Sequence, residues 1–149
     1  MESRLRRPSH VVPSWVSQGA VFHIRIRTDK RWARSLVNEA LGKAIFDSVA
    51  FYQRRLVWNC RLLLLMPDHL HALISFNPSK EMSKVVGAWK HFHVTHSSIQ
   101  WQEGYFDHRI RNDDSLDEKA HYIRRNPVVL GLCDTPEDWP WVWDGGVWV

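Results

Sequence analysis

The chain has 149 residues, of which 44% are hydrophobic, and this is enough to bury the core of one compact domain spanning 1–149. No apolar run approaches the roughly 20 residues that a membrane-spanning helix needs. The basic start MESRLRRPSH is not followed by the apolar region of a signal peptide. Two cysteines are too few for a disulfide framework or a multi-cysteine zinc site, so we expect a cytoplasmic protein. The net charge of +4 gives a mild preference for polyanionic partners.

The first half of the chain predicts a strand, a helix and a hairpin. We expect residues 1–18 to form an irregular basic arm. Apolar and polar residues alternate over 20–27, which predicts a half-buried strand, and apolar residues recur at helical spacing over 32–55. The apolar run within 56–67 predicts a strand that is buried on both faces. A Pro-Asp turn then leads into an alternating strand over 69–76, which makes these two strands a hairpin.

The second half predicts two more helices and a short strand. Apolar residues between 82 and 92 lie on one side of a helix, and residues 101–110 predict a bent strand. Ser115 and Glu118 have the spacing of a capping box, which predicts the start of the last helix. We expect that helix to end near Asn126, because Pro127 disfavours the helical conformation of the residue before it.

The order of these elements predicts the class of fold. A β-α-β-β-α-β order followed by an extra C-terminal helix is that of an α+β sandwich of the ferredoxin-like type. The extra helix carries a tyrosine, and the tail over 133–149 is rich in tryptophan and turn residues. We expect this tail to pack over the domain.

A pair of histidines is the most distinctive local feature. Side chains alternate along a strand, so His69 and His71 project from one side while Leu70 faces the core. Two neutral imidazoles at this spacing can converge on one divalent ion. The alternative is that both are polar positions on an amphipathic strand, and the triplet alone does not separate these interpretations.

The chain has three tyrosines, and one of them lies on a polar face of the last helix. Tyr52 and Tyr105 are most simply packing residues. Tyr122 lies about 100° from the apolar stripe of its helix and shares a face with Lys119 and Asn126. The alternative is that this face is ordinary solvated surface.

Three segments together carry a family resemblance. PDHLHALI, then WQEGYFDHRIR, then HYIRRNPVVLGL are similar to the single-tyrosine HUH transposases, which include the insertion-sequence-200-like and REP-associated enzymes. The similarity runs from about Val21 to Trp141, and the ending EDWPW is closer to the REP-associated branch. The fold of that family agrees with the ferredoxin-like order.

The resemblance implies roles for four residues. His69, His71 and Asn126 would hold a divalent cation, Mg²⁺ or Mn²⁺. Tyr122 would attack a phosphodiester of single-stranded or hairpin DNA and form a 5′-phosphotyrosine link. Such enzymes work as a monomer or as a homodimer in which the tyrosine helix is exchanged, and a nucleoid-associated location follows from DNA as substrate.

Basic residues are the candidates for DNA contacts. Lys119 and Arg125 lie three residues either side of Tyr122, where they would favour the phenolate or hold the neighbouring phosphate, unless they are ordinary surface charges. Further candidates, beside aromatic residues on which bases could stack, are Arg4, Arg6, Arg7, Arg109 and Arg111.

Two alternative functions are consistent with part of these sequence features. A non-catalytic module that binds single-stranded nucleic acid would tolerate EDTA and the loss of Tyr122. A metal-dependent phosphodiesterase that uses water would cleave DNA without forming a covalent adduct.

Overall fold

The computed structural model describes residues 12–145, apart from the side chain of Asp113. Five antiparallel strands form one sheet in the order β4-β1-β3-β2-β5. Their bounds are Val21–Arg27 for β1, Trp58–Leu65 for β2, His69–Phe76 for β3, Phe106–Ile110 for β4 and Val142–Asp144 for β5. The first four strands have the ferredoxin-like order, so the predicted fold class is confirmed.

Helices cover both sides of this sheet. Their bounds are Ser14–Gln18 for α1, Glu39–Arg54 for α2, Met82–Ser97 for α3 and Asp113–Val129 for α4, and a short 3-10 helix spans Pro136–Asp138. None of the helices within residues 12–145 is long and apolar enough to cross a membrane. Helix α4 is the predicted extra helix, and it carries Tyr122.

The alternation of side chains along the strands divides the core in two. Ile24 of β1 and Ala72 of β3 face α2 and α3, where the larger apolar cluster includes Trp89. Val21 and Leu73 face the other way, where a smaller cluster packs against α4. Helix α4 therefore rests on an apolar area that covers only part of its side of the sheet.

The N-terminal segment differs from the expected irregular arm. Residues Ser14–Gln18 form α1, and Val16 of this helix is buried. The carbonyl of Val16 accepts hydrogen bonds from the side chains of Asn59 and Arg61 on β2. The helix is therefore fixed to the sheet through a carbonyl that its own short length leaves unpaired.

The predicted ends of two helices were wrong, and the residues that cap them give the reason. Helix α2 begins after Asn38, whose side chain accepts a hydrogen bond from the backbone of Leu41. Helix α4 begins after Asn112, which accepts from the backbone of Ser115, so Ser115 is not the cap. At its other end α4 passes through Pro127 and stops before Gly131, whose positive φ of 75° is the conformation that terminates helices.

The described part of the tail, residues 133–145, packs over the domain and extends its sheet. Strand β5 pairs with β2, and the backbone of Leu65 donates to the carbonyl of Trp141. The indole of Trp139 donates to the carbonyl of Leu65. The ring of Trp141 lies so close to Gly42 of α2 that a Cβ at that position would be 2.9 Å from it. The sequence predicted the packing of this tail but not its strand.

Candidate active site

The pairing of β1 with β3 assembles a polar region on the α4 side of the sheet. In this antiparallel register Arg25 lies opposite His71, and Arg27 lies opposite His69. Side chains of such directly opposed residues project from the same face and are close neighbours. The two histidines predicted as metal ligands therefore lie beside two arginines, next to the apolar cluster beneath α4.

His69 is held in place by its neighbour in the turn. Its Nδ1 lies 2.7 Å from Oδ1 of Asp68, so the ring donates to the carboxylate and Nε2 is the nitrogen available to a ligand. Burial lowers the pKa of His69, although the bond to Asp68 opposes this shift. The same hydrogen bond lowers the pKa of Asp68. At neutral pH the pair is a neutral imidazole and a carboxylate.

His71 lies deeper, with only 3% of its surface exposed. Its Nδ1 is 3.0 Å from Nε2 of His23 on β1, and its Nε2 is 3.4 Å from Nδ2 of Asn126 on α4. Burial, together with the smaller effects of His69, His23 and the neighbouring arginines, lowers the pKa of His71 to about 3. Burial likewise lowers the pKa of His23 to about 4. Both rings are therefore neutral at physiological pH.

Tyr122 completes the group from the tyrosine helix. Its side chain is 56% exposed, while the next residue, Ile123, is fully buried in the cluster beneath α4. The centroids of the Tyr122 and His71 rings are 6.4 Å apart. The ammonium of Lys119 lies 5.2 Å from the centroid of the Tyr122 ring. The face that carries Lys119, Tyr122 and Asn126 therefore adjoins the histidines of the same chain.

The donor groups fit a divalent cation. The rings of His69 and His71 are 5.0 Å apart between centroids and nearly perpendicular, at 83°, and each has its Nδ1 bonded to another side chain. In the metal-free protein the nitrogen of the Asn126 amide faces His71, and a rotation about the last side-chain bond would present the amide oxygen to a cation instead. Within residues 12–145, no three histidine, cysteine, aspartate or glutamate side chains form a metal-binding group. The candidate site instead combines two imidazoles with one amide.

Two grooves meet at Tyr122, and they contain several of the predicted DNA-binding residues. One groove, of about 410 Å³, is lined by His108, Arg111 and Lys119. The other, of about 400 Å³, is lined by His121, Arg125 and Asn126. Tyr122 and Glu118 line both grooves.

The remaining predicted DNA contacts lie elsewhere. Arg109 is on the face of β4 opposite to His108 and lines a separate groove with Gly19 and Arg61, so it is not brought to Tyr122. Arg4, Arg6 and Arg7 lie outside the described residues.

The sequence analysis missed four residues of this region. His23, Arg25 and Arg27 alternate along β1 and so share one face, and the alternation was visible in the sequence. What was not visible is the register in which β1 pairs with β3. Phe106 of β4 lies opposite Arg25 in the register, and the guanidinium of Arg25 lies 4.7 Å from the centroid of its ring.

Comparison with known proteins identifies the family to which this site belongs. The fold is that of a ferredoxin-like sheet with an added tyrosine-bearing helix, and the family model described as "Transposase IS200 like" matches residues 17–126. The chain therefore belongs to the IS200-like transposase family. The matched range includes His69, His71, Tyr122 and Asn126 and ends before the tail.

Two individual proteins are similar to this chain. A curated protein of Haemophilus influenzae, described as "Putative REP-associated tyrosine transposase", is 24% identical in an alignment 96 residues long, and the match covers 53% of this chain and 54% of that protein. The chain thus matches about half the length of this relative. A solved structure of a REP-associated tyrosine transposase bound to a REP hairpin has a TM-score of 0.71 at 20% identity, and it covers 83% of this chain and 76% of the other. This likeness establishes the shared fold.

Proposed function

We propose that this protein is a transposase or endonuclease that cleaves and rejoins single-stranded DNA with Tyr122 as the nucleophile. The observation that carries the proposal is the position of Tyr122, which is exposed on α4 and lies next to the buried His71 of the same chain. A tyrosine whose only role was packing would not present 56% of its surface beside two oriented imidazoles. Membership of the IS200-like transposase family supports the same role.

The proposed chemistry is a transesterification. The phenolic oxygen of Tyr122 forms a bond to the phosphorus of a DNA phosphodiester, and the bond from phosphorus to O3′ breaks. The phenol gives up its proton and the O3′ gains one, so the products are a 5′-phosphotyrosine and a free 3′-OH. A later 3′-OH reverses these steps on the same phosphorus and regenerates the phenol. The phosphodiester energy is kept throughout, so no ATP is needed.

The side chains around Tyr122 have distinct tasks in this proposal. His69 and His71 would hold the Mg²⁺ or Mn²⁺ with Asn126, and the bound ion would supply Lewis-acid stabilisation of charge at the scissile phosphate. Lys119 holds a positive charge over the tyrosine ring, where it stabilises the phenolate and the approaching phosphate. Arg25 and Arg27 add positive charge on the sheet side of the same region.

The grooves on either side of Tyr122 suggest the path of the DNA strand. A strand that crosses Tyr122 would contact Arg111 and Lys119 on one side and Arg125 on the other. Phe106, which is exposed at the edge of the sheet, offers a ring on which a base can stack. We propose hairpin DNA as the substrate, because the solved relative is bound to a REP hairpin.

Labelled oligonucleotides test this proposal directly. The protein is incubated with Mn²⁺ and a pool of single-stranded hairpin oligonucleotides carrying a label at the 3′ end, and in parallel at the 5′ end. A 5′-phosphotyrosine keeps the 3′ label on the protein after denaturation and releases the 5′ label on a shortened fragment. Tyr122→Phe and EDTA should each abolish the adduct. Tyr52→Phe is the matched control, because this tyrosine packs on Trp58 in the core and should leave the adduct unchanged.

Each alternative has its own signature in this experiment. Cleavage without an adduct on either label would indicate a water-using phosphodiesterase. Binding that tolerates both EDTA and Tyr122→Phe, without cleavage of any member of a fully randomised pool, would indicate a non-catalytic module. An adduct that persists in Tyr122→Phe would show that another residue is the nucleophile.

A further inference from the structure

His23 is a buried residue of β1 that the proposed chemistry does not use. Arg25 lies directly opposite His71 in the register, and His23 is two residues before Arg25 on β1. His23 is therefore on the same face of the sheet as His71 and is its diagonal neighbour. Aromatic side chains reach each other across such a diagonal. Nε2 of His23 is 3.0 Å from Nδ1 of His71, and the ring planes differ by only 23°. Only 4% of the surface of His23 is exposed.

A hydrogen bond between two neutral imidazoles contains one proton, so the pair has two arrangements. In the first, Nδ1–H of His71 donates to Nε2 of His23, and Nε2 of His71 carries a lone pair. In the second, His23 donates and Nε2 of His71 carries a hydrogen. Only the first arrangement leaves His71 able to bind a cation at Nε2.

The surroundings of His71 favour the first arrangement. In the metal-free protein its Nε2 faces Nδ2 of Asn126 at 3.4 Å, and an amide nitrogen can only donate, so Nε2 of His71 accepts while the amide has this orientation. The amide would turn its oxygen inward when a cation replaces this contact. His69 shows the same pattern, since its Nδ1 donates to Asp68 and its Nε2 is left for a ligand. Each of the two candidate ligands thus has a hydrogen-bond partner at Nδ1 that orients its ring. One partner is an exposed carboxylate in a turn, and the other is a buried imidazole in the next strand.

We propose that His23 is a positioning residue, which fixes the tautomer and the ring orientation of His71 so that the Nε2 lone pair points toward Asn126 and Tyr122. This inference rests on the proposed function, since it gives His71 the role of a metal ligand. Partners of this kind typically change metal affinity by roughly 10- to 100-fold when they are removed. His23 itself would not touch the metal or the DNA.

The tautomer of His71 can be measured in the metal-free protein. Long-range ¹H–¹⁵N correlation spectra distinguish the protonated ring nitrogen from the unprotonated one, and the His71 signals are assigned by their absence in His71→Gln. We expect the proton on Nδ1 in the wild type. A proton on Nε2 would overturn the inference, and this measurement depends on neither cleavage nor metal binding.

Equilibrium binding of Mn²⁺ alone, followed by the electron paramagnetic resonance of the free ion, tests the consequence. His23→Leu should weaken Mn²⁺ binding by roughly 10- to 100-fold, while His23→Gln, whose Oε1 replaces Nε2 as acceptor, should stay within about threefold of the wild type. His93→Leu is the matched control, because it removes another buried imidazole, bonded to Ser48 and Ser97 on the other side of the sheet. It should bind Mn²⁺ like the wild type.

The outcomes separate this inference from the proposed function. Equal Mn²⁺ affinity in the wild type and His23→Leu would overturn the role of His23 and leave the tyrosine chemistry intact. An equal loss of Mn²⁺ affinity in His23→Leu and His23→Gln would also overturn it, since the shape of the imidazole ring and not its acceptor nitrogen would then matter. If the wild type bound no Mn²⁺, the metal part of the proposed function would fail, and the tautomer of His71 would decide the inference by itself. Should His23→Leu fail to fold, His23→Gln and the wild-type spectrum still give the decision.

Discussion

The same strands form both sides of the central sheet, but one side contains most of the apolar core and the other carries the candidate active site. On the α2 and α3 side, every strand except β4 contributes to one large apolar cluster, and its polar groups are satisfied internally, as in the contacts of His93 with Ser48 and Ser97. On the α4 side, the apolar cluster covers only the part of the sheet around Leu64 and Leu73. The rest of that side presents histidines and arginines to a helix that carries an exposed tyrosine.

The difference shows how a small domain can separate stability from chemistry. A single strand such as β3 alternates between the two sides, so Leu70 and Ala72 stabilise the fold while His69 and His71 form the site. Because the large cluster holds the strands in register, the polar side chains opposite are positioned without needing apolar contacts of their own. Substitutions should therefore affect either folding or cleavage, depending on the side they occupy.

The largest expected effect is on the site side. His69→Ala removes a proposed metal ligand, so the rate of DNA cleavage should fall on the order of 10⁴-fold, which corresponds to several kcal/mol of transition-state stabilisation. The urea midpoint should fall only modestly, because the buried ring of His69 contacts Asp68 and His71 and lies outside the large apolar cluster. Single-turnover cleavage with Mn²⁺ and urea denaturation measure the two quantities. A large loss of stability with normal cleavage would contradict the separation of the two sides.

The opposite result is expected from the core side. Trp89→Ala empties the space of a fully buried indole between α3 and the sheet and should lower the free energy of unfolding by about 3–5 kcal/mol. Phe92→Ala on the same helix, where the side chain is 39% exposed, should have a much smaller effect. Chemical denaturation compares them. Cleavage per folded molecule should be the same in both variants and the wild type at low temperature.

Acidic pH provides a further test of the core side of the sheet, because that side contains the buried imidazole of His93. Burial, and to a lesser extent the charge of His96, lower the pKa of His93 to about 4 from the usual 6.5. The unfolded chain therefore takes up a proton below pH 6.5 while the folded one does not, so stability is lost as the pH falls toward 4. From pH 7 to pH 4.5 the loss from this residue is roughly 2–3 kcal/mol.

The variant His93→Gln should lack that part of the loss, even though it is less stable at neutral pH. Denaturation in urea at pH 7 and pH 4.5 gives the difference for each protein. His91→Gln, an exposed position on the same helix, should retain the full acid sensitivity of the wild type. An unchanged sensitivity in His93→Gln would mean that other groups cause the acid instability.

The smallest expected effect is that of Lys119. An ammonium 5.2 Å from the ring centroid of Tyr122 interacts with a negative charge there by about 0.8 kcal/mol in water. Lys119→Met should therefore slow cleavage roughly fourfold, and the effect should shrink as salt is added. Lys43→Met, which removes an exposed charge from α2, should have no effect on the rate. A rate independent of Lys119 would make it an ordinary surface charge.

Features that depend on short segments could be predicted from the sequence. The strand half of the site was predicted from the alternation around His69 and His71. The orientation of the helix half was predicted from the apolar stripe of Leu116, Ala120 and Ile123. The order of the predicted elements indicated the class of fold. The placement of Tyr122 beside the apolar stripe followed from helix geometry alone. The roles of the four site residues came from the family resemblance, and they stay predictions.

Other features depend on competition between nearby capping residues or on contacts between residues far apart in the sequence, and these features were not predicted. Asn112 and Ser115 are both good helix caps, and only the course of the chain decides between them. Pro127 is accommodated because the helix ends one turn later, at a point set by Gly131. The contact of His23 with His71 joins residues 48 positions apart, and it depends on the register in which β1 pairs with β3, which the order of the elements does not predict.

Strand β5 has a consequence for the fate of the protein in a crowded cell. Strand β2 contains four consecutive leucines, Leu62–Leu65, and β5 lies along its outer edge. An uncovered apolar edge strand is a template on which other chains can assemble into aggregates. The tryptophan-rich tail covers this edge with the backbone of Val142–Asp144 and with the hydrogen bonds of Trp139 and Trp141 to Leu65. The short strand β5 thus shields the leucine-rich edge of β2 from pairing with other chains.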